Sequence, residues 1–347
     1  MQVDYIIVGL GLAGLAFAEE LSKHHKSFIV FENDSQRSSI VAAGVYNPIV
    51  LKRFNAVWNV QEQLNIALPF YEELEKKLHN KYDQKIDIHR VLTSVEEQNN
   101  WFAASDKPVL ADYMHPKIIK NSNEAINAPF GFGRLSKTGR IETEKLINDY
   151  RAYLSDKGKI KREEFKYDQI QFENDKINYK DILATKIVFC EGFGLKKNPY
   201  FKDLPMEEAK GELLTIHAPK LKLDVILKAS IFIQPLVNDL YKIGATFNWD
   251  DKTSKPTEGA KKELLDKLDT IINVGYKVVD HVAGIRPTTR DRRPLVGCHD
   301  KYTQLAILNG LGTRGVILAP SMAKNLYACL EYHVQLPKEI SIDRFYN

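Results

Sequence analysis

The sequence predicts an α/β chain of two lobes: a Rossmann-type lobe on a parallel sheet, and an inserted α+β lobe on a mostly antiparallel β-sheet. Three stretches carry that prediction. Residues 1–34 read as strand, glycine turn, helix and second strand. Residues 210–246 hold three strand-like runs with no helical pattern among them. Residues 305–332 return to a strand, a glycine turn and a helix. The first lobe is expected to take residues 1–56, 140–200 and 280–347, and the inserted lobe 57–139 and 201–279.

The N-terminal unit sets the theme. Asp4 to Val8 is apolar and β-branched, as a strand buried on both faces should be. Gly9-Leu10-Gly11-Leu12-Ala13-Gly14 follows at once. Gly9 allows the tight turn, Gly11 lets backbone approach a pyrophosphate, and Gly14 lets the helix pack on the strand. The helix from Leu15 to Lys23 points its N-terminal amides at the phosphates. Ser27 to Phe31 is the second strand. Glu32 at its end can accept hydrogen bonds from an adenosine ribose and would repel a 2′-phosphate. The fingerprint itself admits either NAD or FAD.

A chain of 347 residues with 44% apolar and 27% charged side chains is ample for two lobes with buried cores. Its net charge of +4 comes from 49 basic and 45 acidic residues, which neither demands nor excludes a nucleic-acid partner. The three cysteines, Cys190, Cys298 and Cys329, are far apart and offer no disulfide framework or CxxC metal pair. They suit a reducing, cytoplasmic compartment. No apolar run has the length of a membrane span, and the N-terminus reads as a folded strand instead of a signal peptide. The nine histidines show no HExxH spacing, so no metal is expected, and GxSxG and P-loop motifs are absent.

After the first unit, Ala42-Ala43-Gly44-Val45-Tyr46-Asn47-Pro48 offers small residues that let a ligand approach the backbone, preceded by serines that can donate to phosphate. Residues 57–80 carry leucines at helical spacing, and residues 85–120 mix short strands with turns. Phe130 to Leu135 reads as an edge strand or bulge, Gly139 to Leu154 as a helix, and Lys157 to Arg162 as a solvated basic turn. Ile187 to Phe189 is a buried strand running into Cys190-Glu191-Gly192, a second approach to the dinucleotide. Cys190 reads as an apolar strand residue, not a nucleophile. Strands at Lys210–Ile216, Ile231–Leu236 and Tyr241–Thr246 follow, then a helix over Glu258–Asn273 and a strand over Tyr276–Ile285.

The C-terminal third holds the chemistry. Arg286, Arg290, Arg292 and Arg293 place four arginines among eight residues. Asn309-Gly310-Leu311-Gly312-Thr313-Arg314-Gly315-Val316 is a glycine turn leading into a helix from Ile317 to about Tyr332. The positive end of that helix can stabilise negative charge on a ring placed against the turn, such as a reduced flavin.

Taken in order, GLGLAG with Glu32, AAGVYNP, IVFCEGFG, GIRPTTRDRRPLVG and NGLGTRGVILAP resemble the D-amino-acid-oxidase-like FAD-dependent oxidoreductases, a superfamily that includes glycine and sarcosine oxidases. The resemblance spans nearly the whole chain and is least distinctive over residues 57–139. Arg290 to Gly297 and Leu311 to Val316 look most like one branch, the oxidase half of bifunctional tRNA-modifying enzymes. That half oxidises the carboxymethylaminomethyl group of a wobble uridine. The methyltransferase half found in those enzymes has no counterpart in these residues.

The resemblance implies noncovalent FAD, held by Gly9, Gly11, Leu12, Ala13, Gly14, Glu32, Ala43, Gly44, Val45, Asn47, Cys190, Glu191, Gly192, Gly310, Gly312, Thr313, Arg314, Gly315 and Val316. It implies that Arg286 anchors a substrate carboxylate, as a guanidinium fork suits. Arg314 is the second catalytic candidate, facing flavin or substrate, and Phe232 and Gln234 are candidate substrate contacts. The implied reaction is hydride transfer from the carbon beside an amine nitrogen to flavin N5, with oxygen or another acceptor reoxidising the flavin. The substrate is a tRNA wobble uridine or a small amine such as glycine or sarcosine. A flavoprotein of electron transfer or binding, without oxidase activity, is a reading of another class. An NAD dehydrogenase would leave the C-terminal glycine turn without a role.

Overall fold

The computed structural model describes residues 1–346. Two eight-stranded sheets dominate it. In the first, Phe28–Phe31, Gln2–Val8, Ile182–Phe189 and Leu305–Asn309 lie side by side and parallel. Their registers match Val8 with both Phe31 and Phe189, and Phe189 with Ile307. Parallel strands in register end at one edge. Gly9, Glu32, Cys190 and Gly310 therefore emerge together, although they are far apart in sequence. These strands are almost wholly buried because helices cover them. Leu12–Lys23 and Gly315–Tyr332 pack against each other, and Val60–Leu78 packs on the latter. The hydroxyl of Tyr71 ties that last pair by donating to the Val316 carbonyl at 2.7 Å.

The second sheet runs in the spatial order Lys277–Thr289, Met206–His217, Leu240–Gly244, Phe232–Pro235, Ile226–Lys228, Ile88–Val91, Phe132–Leu135, Met114–Ile119. Every pairing is antiparallel except that of Ile226–Lys228 with Ile88–Val91. Alternation divides its faces. Leu214, Ile216, Ile233 and Ile243 pack with Leu264 and Leu268 of the helix Glu258–Asp269. Leu213, Phe232 and Lys228 point the other way and line a cavity shared with the first sheet.

Several local expectations change. Phe132–Leu135 is an interior strand: Gly133 leaves space for the Trp101 indole and does not mark an edge. Gly139–Ile141 is a strand, paired with Val45–Tyr46, and the helix starts only at Thr143. Ile160–Lys161 in the basic run is an edge strand pairing with Phe28–Phe31, because Gly158 at φ +64° turns the chain back along it. A helix at Val95–Ser105 lies where strands and turns were expected. Ser94 caps it by accepting from the Glu97 amide at 3.1 Å, and Glu97 reaches back to the Thr93 amide at 2.8 Å. The helix Val60–Leu78 shares a continuous buried core with the first sheet's helices and with Ile88, Leu135 and Ile226 of the second sheet.

Candidate active site

The converging strand ends enclose a cavity of about 600 Å³. Its floor is the first glycine turn. Gly9 has φ +95°, and a Cβ there would lie 2.6 Å from the Cys190 carbonyl oxygen. A Cβ on Gly14 would collide with the Gly9 carbonyl, so this glycine serves helix packing and does not line the cavity. Gly11 begins the helix and brings no side-chain acceptor to its free amides. Ser39 Oγ accepts from the Leu12 amide at 3.2 Å. Gly9, Gly11, Leu12, Ala13, Glu32, Ala43, Gly44, Val45, Cys190, Glu191, Gly192, Gly312, Thr313, Gly315 and Val316 all border the cavity.

Two acids on its wall differ in environment. Glu32 is buried and forked by Arg151, whose Nε donates at 2.8 Å and whose Nη2 also donates. Burial raises its pKa, and the Arg151 hydrogen bonds and charge oppose that rise. Glu191 accepts from Asn198 at 2.7 Å and from the Tyr167 hydroxyl. Burial still pushes its carboxyl up to about 7. Asn309, the last residue of its strand, donates to the Gly192 carbonyl at 3.0 Å and joins the two later turns.

Arg286 borders the cavity from the second sheet. Its guanidinium lies 4.4 Å from the Phe247 ring centroid, and Nη1 donates to the Thr246 carbonyl at 3.3 Å. Burial lowers its pKa to about 10. The guanidinium crosses the neighbouring strand at Gly211, where any Cβ would collide with it. Lys228 and Phe232 continue the same wall. Burial, then Arg90 and Lys267, bring the Lys228 ammonium down to about 8.

Four other residues expected at the site lie off the cavity lining. Gln234 is fully buried behind it. In the orientation that satisfies its amide, it donates to the Ala43 carbonyl at 3.1 Å and accepts from Arg140 Nη1 at 3.0 Å. It thereby ties the second sheet to the Ala43 segment. Arg314 and Asn47 face a separate hollow of about 150 Å³. Burial, then the charge of Arg292, lowers the Arg314 pKa. Asn47 uses its Oδ1 to accept from the Ile49 amide at 2.9 Å. Gly310, at φ +70°, turns the strand end, and a Cβ there would meet Thr289 Cγ2 at 2.8 Å.

The family model described as DAO, FAD dependent oxidoreductase, matches residues 4–328. The chain belongs to that family. As a member it is an FAD-dependent oxidoreductase. It is 22% identical over 343 residues to a glycine oxidase of Bacillus subtilis (strain 168), covering 92% of this chain and 90% of that protein. It is 26% identical over 317 residues to the tRNA 5-methylaminomethyl-2-thiouridine biosynthesis bifunctional protein MnmC of Campylobacter concisus (strain 13826). That match covers 85% of this chain and 47% of the relative, so the chain spans about half of the bifunctional protein. The crystal structure of a Geobacillus kaustophilus glycine oxidase superposes with a TM-score of 0.78 at 19% identity, covering 96% of this chain and 95% of that one, and shares the fold.

The cavity fits the cofactor of a DAO protein. In strand order it runs from buried Glu32, past the helix start at Gly11, to the turn Gly312–Val316, and the glycines at 9 and 11 open the backbone of the first turn to it. The sequence reading missed Arg151, Gly211, Lys228, Phe247 and Asn309. An isolated glycine inside a strand signals close approach of another group, so Gly211 had a legible cue. Arg151 lies on a helix far from Glu32 in sequence and had none.

Proposed function

We propose that this protein oxidises the C–N bond of a carboxylate-bearing secondary amine, with the carboxymethylaminomethyl group of a tRNA wobble uridine as its substrate. The observation that carries the reading is Arg286: a desolvated guanidinium facing the dinucleotide cavity, held by a ring and a carbonyl and not by an acid. Such a group favours an incoming carboxylate, which it binds as a fork. The glycine turn and the helix start at Gly11 would hold the FAD pyrophosphate, Glu32 the ribose, and the turn Gly312–Val316 the flavin end. Bound there, FAD supplies the acceptor for the hydride leaving the carbon beside nitrogen, and water then cleaves the imine to an amine and an oxo acid.

The chain's own residues orient and desolvate. Arg286 fixes the carboxylate end, and Phe247 covers the guanidinium and excludes water from the pair. Phe232 and Leu213 present apolar surface beside it. The wobble-uridine substrate is supported by the MnmC relatives, one of which aligns over 85% of this chain. A small free amine is supported by the glycine oxidase relative, matched over 90% of its own length. Oxygen is the proposed acceptor in either version.

The test is flavin absorbance under anaerobic conditions with glycine, sarcosine, and tRNA carrying the carboxymethylaminomethyl group. Bleaching by the tRNA alone is the expected result. Bleaching by a small amine alone would make the protein a metabolic oxidase. Bound flavin bleached by none of them would leave the family intact and the substrate open.

A further inference from the structure

The loop between Leu240–Gly244 and Glu258–Asp269 holds two large aromatics at the surface. Phe247 is 51% and Trp249 48% exposed, and their ring centroids are 5.4 Å apart. Phe247 is the inner ring: it lines the cavity and covers the Arg286 guanidinium. Trp249 is the neighbouring exposed ring, off the cavity lining, with its plane tilted 51° from that of Phe247.

This loop is pinned by a charged network. Lys210, only 1% exposed, donates to Asp251 Oδ2 at 2.5 Å and to the Lys255 carbonyl. Glu212, equally buried, accepts from the Thr257 amide at 2.8 Å and its hydroxyl at 2.9 Å. The Glu212 amide donates to Thr246 Oγ1 at 2.9 Å. Asn248 and Lys210 exchange backbone hydrogen bonds of 2.8 and 3.0 Å. The residues on both sides of Phe247, and the one before Trp249, are therefore fixed to the sheet. Burying Lys210 and Glu212 carries a desolvation cost. Neither lines the cavity; Lys210 and Glu212 also lie 3.3 Å apart and Glu212 meets His281 Nε2 at 2.8 Å, while the other bonds run to residues 246–257. The network holds the segment that carries the two rings against the sheet.

We propose that the exposed face of Trp249 stacks the pyrimidine base of an RNA nucleotide, with Phe247 as the inner wall of that platform, presenting the base's 5-substituent to Arg286. The inference rests on the tRNA reading above. A base taken out of the anticodon stack exposes a π-face, and exposed aromatics bind such faces. In a carboxymethylaminomethyl pyrimidine the ring and the carboxylate are joined by a methylene, a nitrogen and a second methylene. A ring on the platform and a carboxylate on Arg286 would occupy adjacent protein groups, because Phe247 lies directly over that guanidinium. The strand carrying Arg286 continues for about 10 Å to Thr289, then turns through exposed Arg290 and Arg292 and half-buried Arg293. Asp291, the acid of that turn, is taken by Arg344 at 2.8 Å. The turn is thus left basic, as flanking phosphates require. A free amino acid held inside the cavity gives Trp249 no task.

The experiment uses holoenzyme and its Trp249→Ala and Trp249→Phe variants, with FAD content as the control for folding. Anaerobic bleaching is followed against concentration of tRNA bearing the carboxymethylaminomethyl group. In Trp249→Ala the half-saturating concentration should rise about tenfold, with the rate at saturation retained, and Trp249→Phe should recover most of the loss. Separately, an anticodon stem-loop lacking the oxidisable group should quench wild-type tryptophan fluorescence, and Trp249→Phe should abolish the quench. If tRNA bleaches wild type and Trp249→Ala alike, or no quench occurs, the platform is refuted while the tRNA reading stands. If sarcosine bleaches wild type and tRNA does not, both fall together.

Discussion

Arg286 owes its position to a missing side chain on the next strand. Gly211 is the residue whose Cβ would strike the guanidinium, so Gly211→Ala should expel Arg286 from the cavity wall without touching the cofactor end. We expect Gly211→Ala to lower kcat/KM for a carboxylate-bearing amine by at least about thirtyfold, the scale of losing one partner of a buried charged pair. FAD content should be unchanged, and Arg286→Met should do the same. Steady-state kinetics with flavin absorbance of the purified variants checks this; a Gly211→Ala enzyme with wild-type kinetics would show that Arg286 does not anchor substrate. Glu191 gives a second prediction. Its folded pKa of about 7 lies above the ordinary 4.5, so the folded state holds the proton more tightly. Its contribution to stability is present below pH 4.5 and is lost as pH rises to about 7. Melting temperatures of wild type and Glu191→Gln should therefore diverge across that window, the variant lacking the decline. A constant difference would contradict the assignment. The glycines of the first turn and Glu32 were legible at this scale because a short motif holds both partners. Lys228, Phe247 and Arg151 were not, since each meets the site through residues remote in sequence.

Among elements, the helix Thr143–Asp156 shows how a segment with no motif enters the site. Its apolar side packs Leu146, Ile147 and Tyr150 into the core, and this turns Arg151 toward the end of Phe28–Phe31. Arg151→Met should leave the Glu32 carboxylate buried without its fork. The expected result is an FAD dissociation constant raised by about tenfold or more, because an unpaired buried charge costs several kcal/mol unless the group protonates. Titration of apoprotein with FAD, followed by flavin fluorescence, measures it, and unchanged affinity would mean that Arg151 serves only the fold. Element boundaries were readable where periodicity was strong, as in the first strand and the last helix. The helix at Val95–Ser105 carried a legible Ser94-to-Glu97 capping signal that its weak apolar stripe obscured. Gly133 misled for a different reason: a glycine that makes room for Trp101 looks in sequence like one that ends a sheet.

For the whole molecule, the cofactor is expected to act as a structural ligand. It would fill the cavity where the four parallel strands end, with the second sheet as its far wall. Apoprotein should melt below holoprotein, and its melting temperature should climb with added FAD. Free FAD at a hundred times its dissociation constant contributes about 2.7 kcal/mol by mass action. A melting temperature indifferent to FAD would mean that the cavity is not its site. The sequence by itself determined the βαβ start, the glycine turns, the acid at Glu32, the antiparallel character of the middle strands and the resemblance to FAD oxidoreductases. Those features reside in short windows, where spacing and residue type fix backbone geometry. Only the tertiary structure decided that Gln234 bridges two sheets, that Arg314 lies off the main cavity, and that Gly211 makes room for Arg286. It alone brought Phe247 over that guanidinium, with Trp249 beside it. Each of these depends on which strand lies next to which, and strand order is set by packing across the whole chain, beyond the reach of any local pattern.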